Sequence, residues 1–105
     1  MDNIDLGELG FTAEEVELPI APFIFKMTCF AFPEQYDVLY KGEICAYVRL
    51  RHGTLRCDMP YCGGETVLRH QFEDRRGCFD SDEETNFYLK KIAAILMEKM
   101  NLVSQ

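Results

Sequence analysis

Residues 44–59, ICAYVRLRHGTLRCDM, leave the chain few arrangements. Apolar and polar residues alternate on both sides of His52-Gly53, the period of a half-buried strand. With His52-Gly53 as a two-residue turn, Arg51 faces Thr54. Leu50 then faces Leu55, Val48 faces Cys57 and Ala46 faces Met59, all on one apolar face. The other face carries Arg51, Arg49 opposite Arg56, and Tyr47 opposite Asp58. A slip of one residue would send every apolar side chain to the polar side, so the register is well specified. Gly53 supplies the positive φ that such a turn needs. Like charges directly opposite each other destabilise a hairpin. The outer face therefore expects an anion, either a carboxylate of this chain or one from another molecule.

The flanking sequence reads as more of the same sheet. Residues 23–32 are strand-like and rich in Phe and Ile, and Pro33-Glu34-Gln35 ends them. Residues 36–40 form the next strand, followed by a turn at Lys41-Gly42. A two-residue turn there pairs Leu39 with Ile44, and a three-residue turn with a bulge pairs Val38 with Ile44. Residues 60–64 (PYCGG) are a loop. Residues 66–72 are a further strand, with Thr66, Leu68, His70 and Phe72 on one side. Residues 73–79 form a charged loop. Ser81 with Glu84 fits a capping box, and Asp80, Asp82 and Glu83 suit the positive end of a helix dipole. Leu89, Ile92, Leu96 and Met100, joined by Tyr88 and Ile95, make one apolar stripe at helical spacing. The expectation is an α+β fold: an antiparallel β-meander of four to five strands with one C-terminal helix packed on one face.

Residues 1–21 read as an acidic N-terminal arm, and residues 22–105 as a single domain. Thr12 with Glu15 makes a capping box in the arm, and Pro19 and Pro22 impose extended chain after it. Residues 1–25 hold six acids and no Lys or Arg, against twelve acids and eleven bases in the remainder. Six arginines but only four acids fall between residues 49 and 76. The net charge of -7 argues against non-specific DNA binding, which relies on positive potential. At 105 residues, 48% of them hydrophobic, the chain can bury roughly two-thirds of its unfolded surface without staples. Five cysteines and an acidic start without an apolar leader point to reduced thiols and a cytoplasmic location. The apolar run at 18–32 is interrupted by Pro19, Pro22 and Lys26, so it reads as a buried strand rather than a membrane span.

Two short motifs suggest chemistry. Leu50-Arg51-His52-Gly53-Thr54 resembles the Arg-His-Gly signature of the histidine phosphatase and phosphoglycerate mutase superfamily, where the His is phosphorylated and the Arg binds phosphate. That signature ends a parallel strand and leads into a helix. Here a strand, TLRCDM, follows it, so the residues read as a hairpin turn. Cys57-x4-Cys62-Gly63-Gly64 resembles a zinc knuckle, with His70 and Cys78 available as further ligands. Four residues stand between the cysteines where a knuckle has two, and Cys57 fits a core position. Neither a nucleophilic triad nor a glycine-rich phosphate loop is evident. No metal or other cofactor is expected.

The functional expectation is a small non-catalytic cytoplasmic binding protein. It would engage a protein partner through the face bearing Tyr47, Arg49, Arg51 and Arg56, or through the acidic arm. Its form suits an accessory or inhibitor protein of a bacterium or phage. A nucleic-acid-binding module using the arginine-rich hairpin is the second reading, and a phosphate-handling enzyme at Arg51-His52 the third. No membrane association is expected, and the protein would be a monomer or homodimer.

Overall fold

The computed structural model describes residues 17–30 and 33–102. In chain order these form β1 (Glu17–Ile20), β2 (Phe23–Phe30), β3 (Glu34–Tyr40), β4 (Glu43–Arg51), β5 (Thr54–Met59), β6 (Glu65–Gln71) and α1 (Asp82–Lys99). All six strands belong to one antiparallel sheet whose spatial order is the sequence order. The fold is α+β, with six strands where the sequence predicts four to five. The additional strand is β1, which lies within the span read as the arm. Pro19 argues against a strand because it cannot donate to a ladder. An edge strand tolerates that loss, and β1 is the edge. The predicted capping box at Thr12 and Glu15 lies outside the described residues.

The hairpin register is the predicted one: Tyr47, Val48, Arg49, Leu50 and Arg51 lie opposite Asp58, Cys57, Arg56, Leu55 and Thr54. Its turn and the β3–β4 turn share their φ values. Lys41 and Gly42 take φ 53° and 85°, and His52 and Gly53 take 53° and 82°. Positive φ at both central residues is the form whose twist matches the strands it joins. Leu39 faces Ile44, as the shorter turn requires, and a bulge beyond it brings Val38 opposite Ala46. A second bulge follows Cys57, so that Leu68 faces Cys57 while Thr66 faces Asp58. This corrects the sidedness read from alternation. Thr66 stands on the outer face, apart from Leu68 and His70, because the bulge at residue 67 consumes one step of the alternation.

Rows of apolar residues cross the inner face. Leu18, Phe25, Val38 and Ala46 form one, and Tyr36, Val48, Cys57 and Leu68 another. Phe25, Tyr36, Val38, Ala46, Leu50, Leu55 and Cys57 are completely buried. Leu89, Ile92, Ala93 and Leu96 of α1 close over them. The helix approaches both edge strands, β1 and β6. Eighteen helical residues are about 27 Å long, and six strands are about 24 Å across. One helix therefore suffices to bridge the sheet. At its start the Ser81 side chain accepts from Glu84 N at 3.0 Å, and Glu84 accepts from Asp80 N at 2.7 Å. No helix among the described residues is long and apolar enough to cross a membrane.

Candidate anion-binding face

The outer face is built by strand pairing. Gln35 on β3 lies opposite Arg49, Arg49 opposite Arg56, and Arg56 opposite Arg69 on β6. Three adjacent strands thus carry three arginines in one row, with partners about 5 Å apart. The next row holds Arg51, Thr54 and Gln71, where Thr54 donates to Gln71 at 2.6 Å.

Arg75 joins this group through the loop between β6 and α1. Phe72 N donates to Gly53 O and Gly53 N to Arg76 O, each at 2.7 Å. Glu34 N then donates to Gly77 O at 2.7 Å, and the buried Glu34 carboxylate accepts from Phe79 N at 3.0 Å. The loop is thereby drawn across the β4–β5 turn to β3. It passes so close that a Cβ on Gly53 would lie 2.2 Å from Asp74 O. Arg49, Arg51, His52, Thr54, Arg56 and Arg69 line a cup of about 260 Å³. An adjoining depression of about 470 Å³ shares Arg49, Arg51 and His52, and adds Arg75 with Pro33 and Gln35.

The arginines differ in their partners. Arg76 turns to the helix side, pairing with Asp74 and Glu84 at 2.8 Å and with Asp80 at 3.2 Å. Its hydrogen bond holds the Asp74 carboxyl below the ordinary value. Arg56 Nε lies 3.2 Å from Asp58 Oδ1, within ion-pair reach but away from a hydrogen-bond direction. Asp58 is buried and fixed from two other sides, accepting from Gly63 N at 3.1 Å and Thr66 Oγ1 at 2.9 Å. Among the described residues, Arg49, Arg51, Arg69 and Arg75 have no carboxylate within 4.0 Å.

Of the residues expected to bind, Arg49, Arg51 and Arg56 come together in the cup. Tyr47 does not. It is on the same face but buried, with its hydroxyl donating to Gln35 Oε1. Burial pushes its phenol above the ordinary value, Cys62 adds to this, and Arg49 and Arg56 oppose it. Tyr47 thus stands in the neighbouring row, between Asp37 and Asp58, and lines neither depression. Arg69 and Arg75 are the lining arginines that sequence reasoning did not place in a site, and His52, read there only as part of a phosphate site with Arg51, lines both depressions. The signal for Arg69 was its position on the strand paired with β5, but the bulge hid its row. Arg75 is brought in only by the loop contacts.

The other sequence candidates are dispersed. Arg51-His52-Gly53 is the turn of an antiparallel hairpin. Cys57 is on the inner face, His70 lies against Tyr88 and Phe72, and Cys62 is exposed in the loop after β5. Among the described residues, no three His, Cys, Asp or Glu side chains are grouped to hold a metal. Comparisons of the chain with protein-family models, curated proteins and solved structures find no match. The site alone then defines the class: an antiparallel α+β protein with an arginine row on its outer face.

Proposed function

We propose that this chain is a small, non-catalytic intracellular binding protein that engages an acidic protein partner through Arg49, Arg51, Arg56, Arg69 and Arg75. One observation carries the reading. Five arginines converge on two adjoining depressions, and four of them have no carboxylate within reach among the described residues. Aligned guanidiniums repel, and an arriving carboxylate surface relieves that repulsion while gaining charge-assisted hydrogen bonds. Planar forks on a rigid sheet also suit the geometry of recognition better than lysines on a loop. An accessory or inhibitor role belongs to the same reading.

Capture from host extract with wild type and with Arg49→Glu/Arg69→Glu tests it. These two positions avoid Arg56, whose pairing with Asp58 would confuse binding with stability. The expected result is an acidic protein retained by the wild type and lost by the variant, at an unchanged melting temperature. Nucleic acid as the retained species, with affinity falling steeply with salt, would replace the protein reading.

A further inference from the structure

The cup and the depression beside it differ in what they can hold. Arg49, Arg56 and Arg69 reach the cup from three neighbouring strands, and Arg51, His52 and Thr54 close its turn end. Each guanidinium offers up to five N–H donors in a fixed plane. A single carboxylate has two oxygens and one charge, and one arginine fork satisfies it. Three forks around about 260 Å³ offer more donors and more charge than one carboxylate can use. A phosphoryl group with three free oxygens and close to two negative charges matches them. Arg56 is already held by an ion pair. Asp58, itself held by Gly63 and Thr66, draws its Nε and limits the freedom of the guanidinium. Little rotamer entropy is then lost when an anion arrives. The larger depression, with Arg75, Pro33 and Gln35, leaves room for residues next to the group in the cup.

The surroundings separate a single phosphoryl group from a polynucleotide. The row next to the arginines carries Asp37 on β3, opposite Tyr47, and Asp58 beyond it on β5. A strand of nucleic acid, charged at every step, would meet half-buried Asp37 on leaving the arginines across β3. A single phosphorylated side chain would need only the cup.

Resting on the proposed binding role of this face, we infer that the cup formed by Arg49, Arg56 and Arg69 is a phosphoryl subsite that recognises a phosphorylated side chain of a protein partner. The chemistry is reversible recognition, with no bond made or broken.

Binding of three short peptides of one acidic sequence tests this by calorimetry at fixed ionic strength. They carry phosphoserine, glutamate or serine at the central position, and an oligonucleotide of equal charge is the fourth ligand. Because the phosphoryl group brings a third oxygen and close to one further negative charge, and so more charge-assisted hydrogen bonds than a carboxylate, the phosphopeptide is expected to bind about tenfold or more tighter than the glutamate peptide. Arg69→Gln should remove that difference by weakening the phosphopeptide far more than the glutamate peptide, and Arg75→Gln should weaken both peptides alike. Phosphopeptide and glutamate peptide binding equally well would overturn the phosphoryl subsite and leave the acidic-partner reading intact. Absence of binding by every peptide would overturn both. Tighter binding of the oligonucleotide would transfer the face to nucleic acid. A melting curve of Arg69→Gln unchanged from wild type shows that any loss arises at the site.

Discussion

Asp58 is the residue on which the outer face turns. It is buried, accepts from Gly63 N and Thr66 Oγ1, and sits beside Arg56 Nε. Replacing it with Ala strands two donors and a guanidinium. The expected loss is about 2–4 kcal/mol in urea denaturation, since hydrogen bonds to a buried charge and its ion pair are lost together. A loss near zero would show that water replaces Asp58 and that Arg56 is not held by it. On the inner face, burial pushes the Cys57 thiol from near 9 up to about 12. The folded state keeps the proton that the unfolded chain gives up above pH 9. Stability is therefore complete below pH 9 and falls as pH rises towards 12. Tyr36, whose phenol is raised first by its burial and then by Glu34, acts in the same direction. Cys57→Val should flatten part of this decline. In alkylation followed by mass spectrometry at pH 8, exposed Cys62 should react at once and Cys57 only on unfolding.

At the scale of elements, two turns with shared φ values allow a controlled comparison. Gly42 has open space where a Cβ would stand, whereas at Gly53 the Cβ would meet Asp74 O at 2.2 Å. Ala at either position bears the cost of positive φ, and only Gly53→Ala must also displace the loop that carries Arg75. Gly53→Ala should lower the melting temperature well beyond Gly42→Ala. Equal shifts would mean that the loop is not held against the turn. The helix has its own contrast. Leu96→Ala should cost about 2–5 kcal/mol, as a buried leucine does, and exposed Lys91→Ala within about 0.5 kcal/mol. The start of α1 is also held by an aromatic cluster. Tyr88 stacks on Phe79 at 5.7 Å and meets Phe72 edge-on at 5.3 Å, and Arg76 lies over Phe72 at 4.4 Å.

Legibility in the sequence follows the reach of each interaction. The β4–β5 register could be read because alternation on both strands and a two-residue turn agree. The α1 stripe and its Ser81 cap are local as well. The β1 strand could not be read, since Pro19 is acceptable only at an edge and the edge is decided by the whole sheet. The bulge after Cys57 sends Thr66 to the outer face, and alternation alone cannot foresee an inserted residue. Arg49, Arg51 and Arg56 were legible as one group on the outer face for the same reason as their hairpin. Arg69 required the bulge, and Arg75 required backbone bonds from residues 53 and 34. Tyr47 was legible as an outer-face residue but not as a buried one, because strand parity gives a face and not an exposure.

At the scale of the whole molecule, one face of the sheet folds the protein and, on the proposed function, the other is left to bind. The inner face is buried under α1, and the outer one gathers positive charge in a chain whose net charge is -7. If that division is right, the arginine row contributes little to stability by itself and gains when an anion fills it. The most direct measurement is the melting temperature of wild type and of Arg49→Gln/Arg69→Gln, in chloride and in phosphate at equal ionic strength. In chloride the variant should melt at or above the wild type, because a repulsive row has been removed. Phosphate should raise the wild type by binding the folded state alone, and should raise the variant by no more than the general salting effect. A variant that melts clearly lower in chloride, with phosphate shifting both proteins equally, would contradict the account and make the arginines part of the fold's own support.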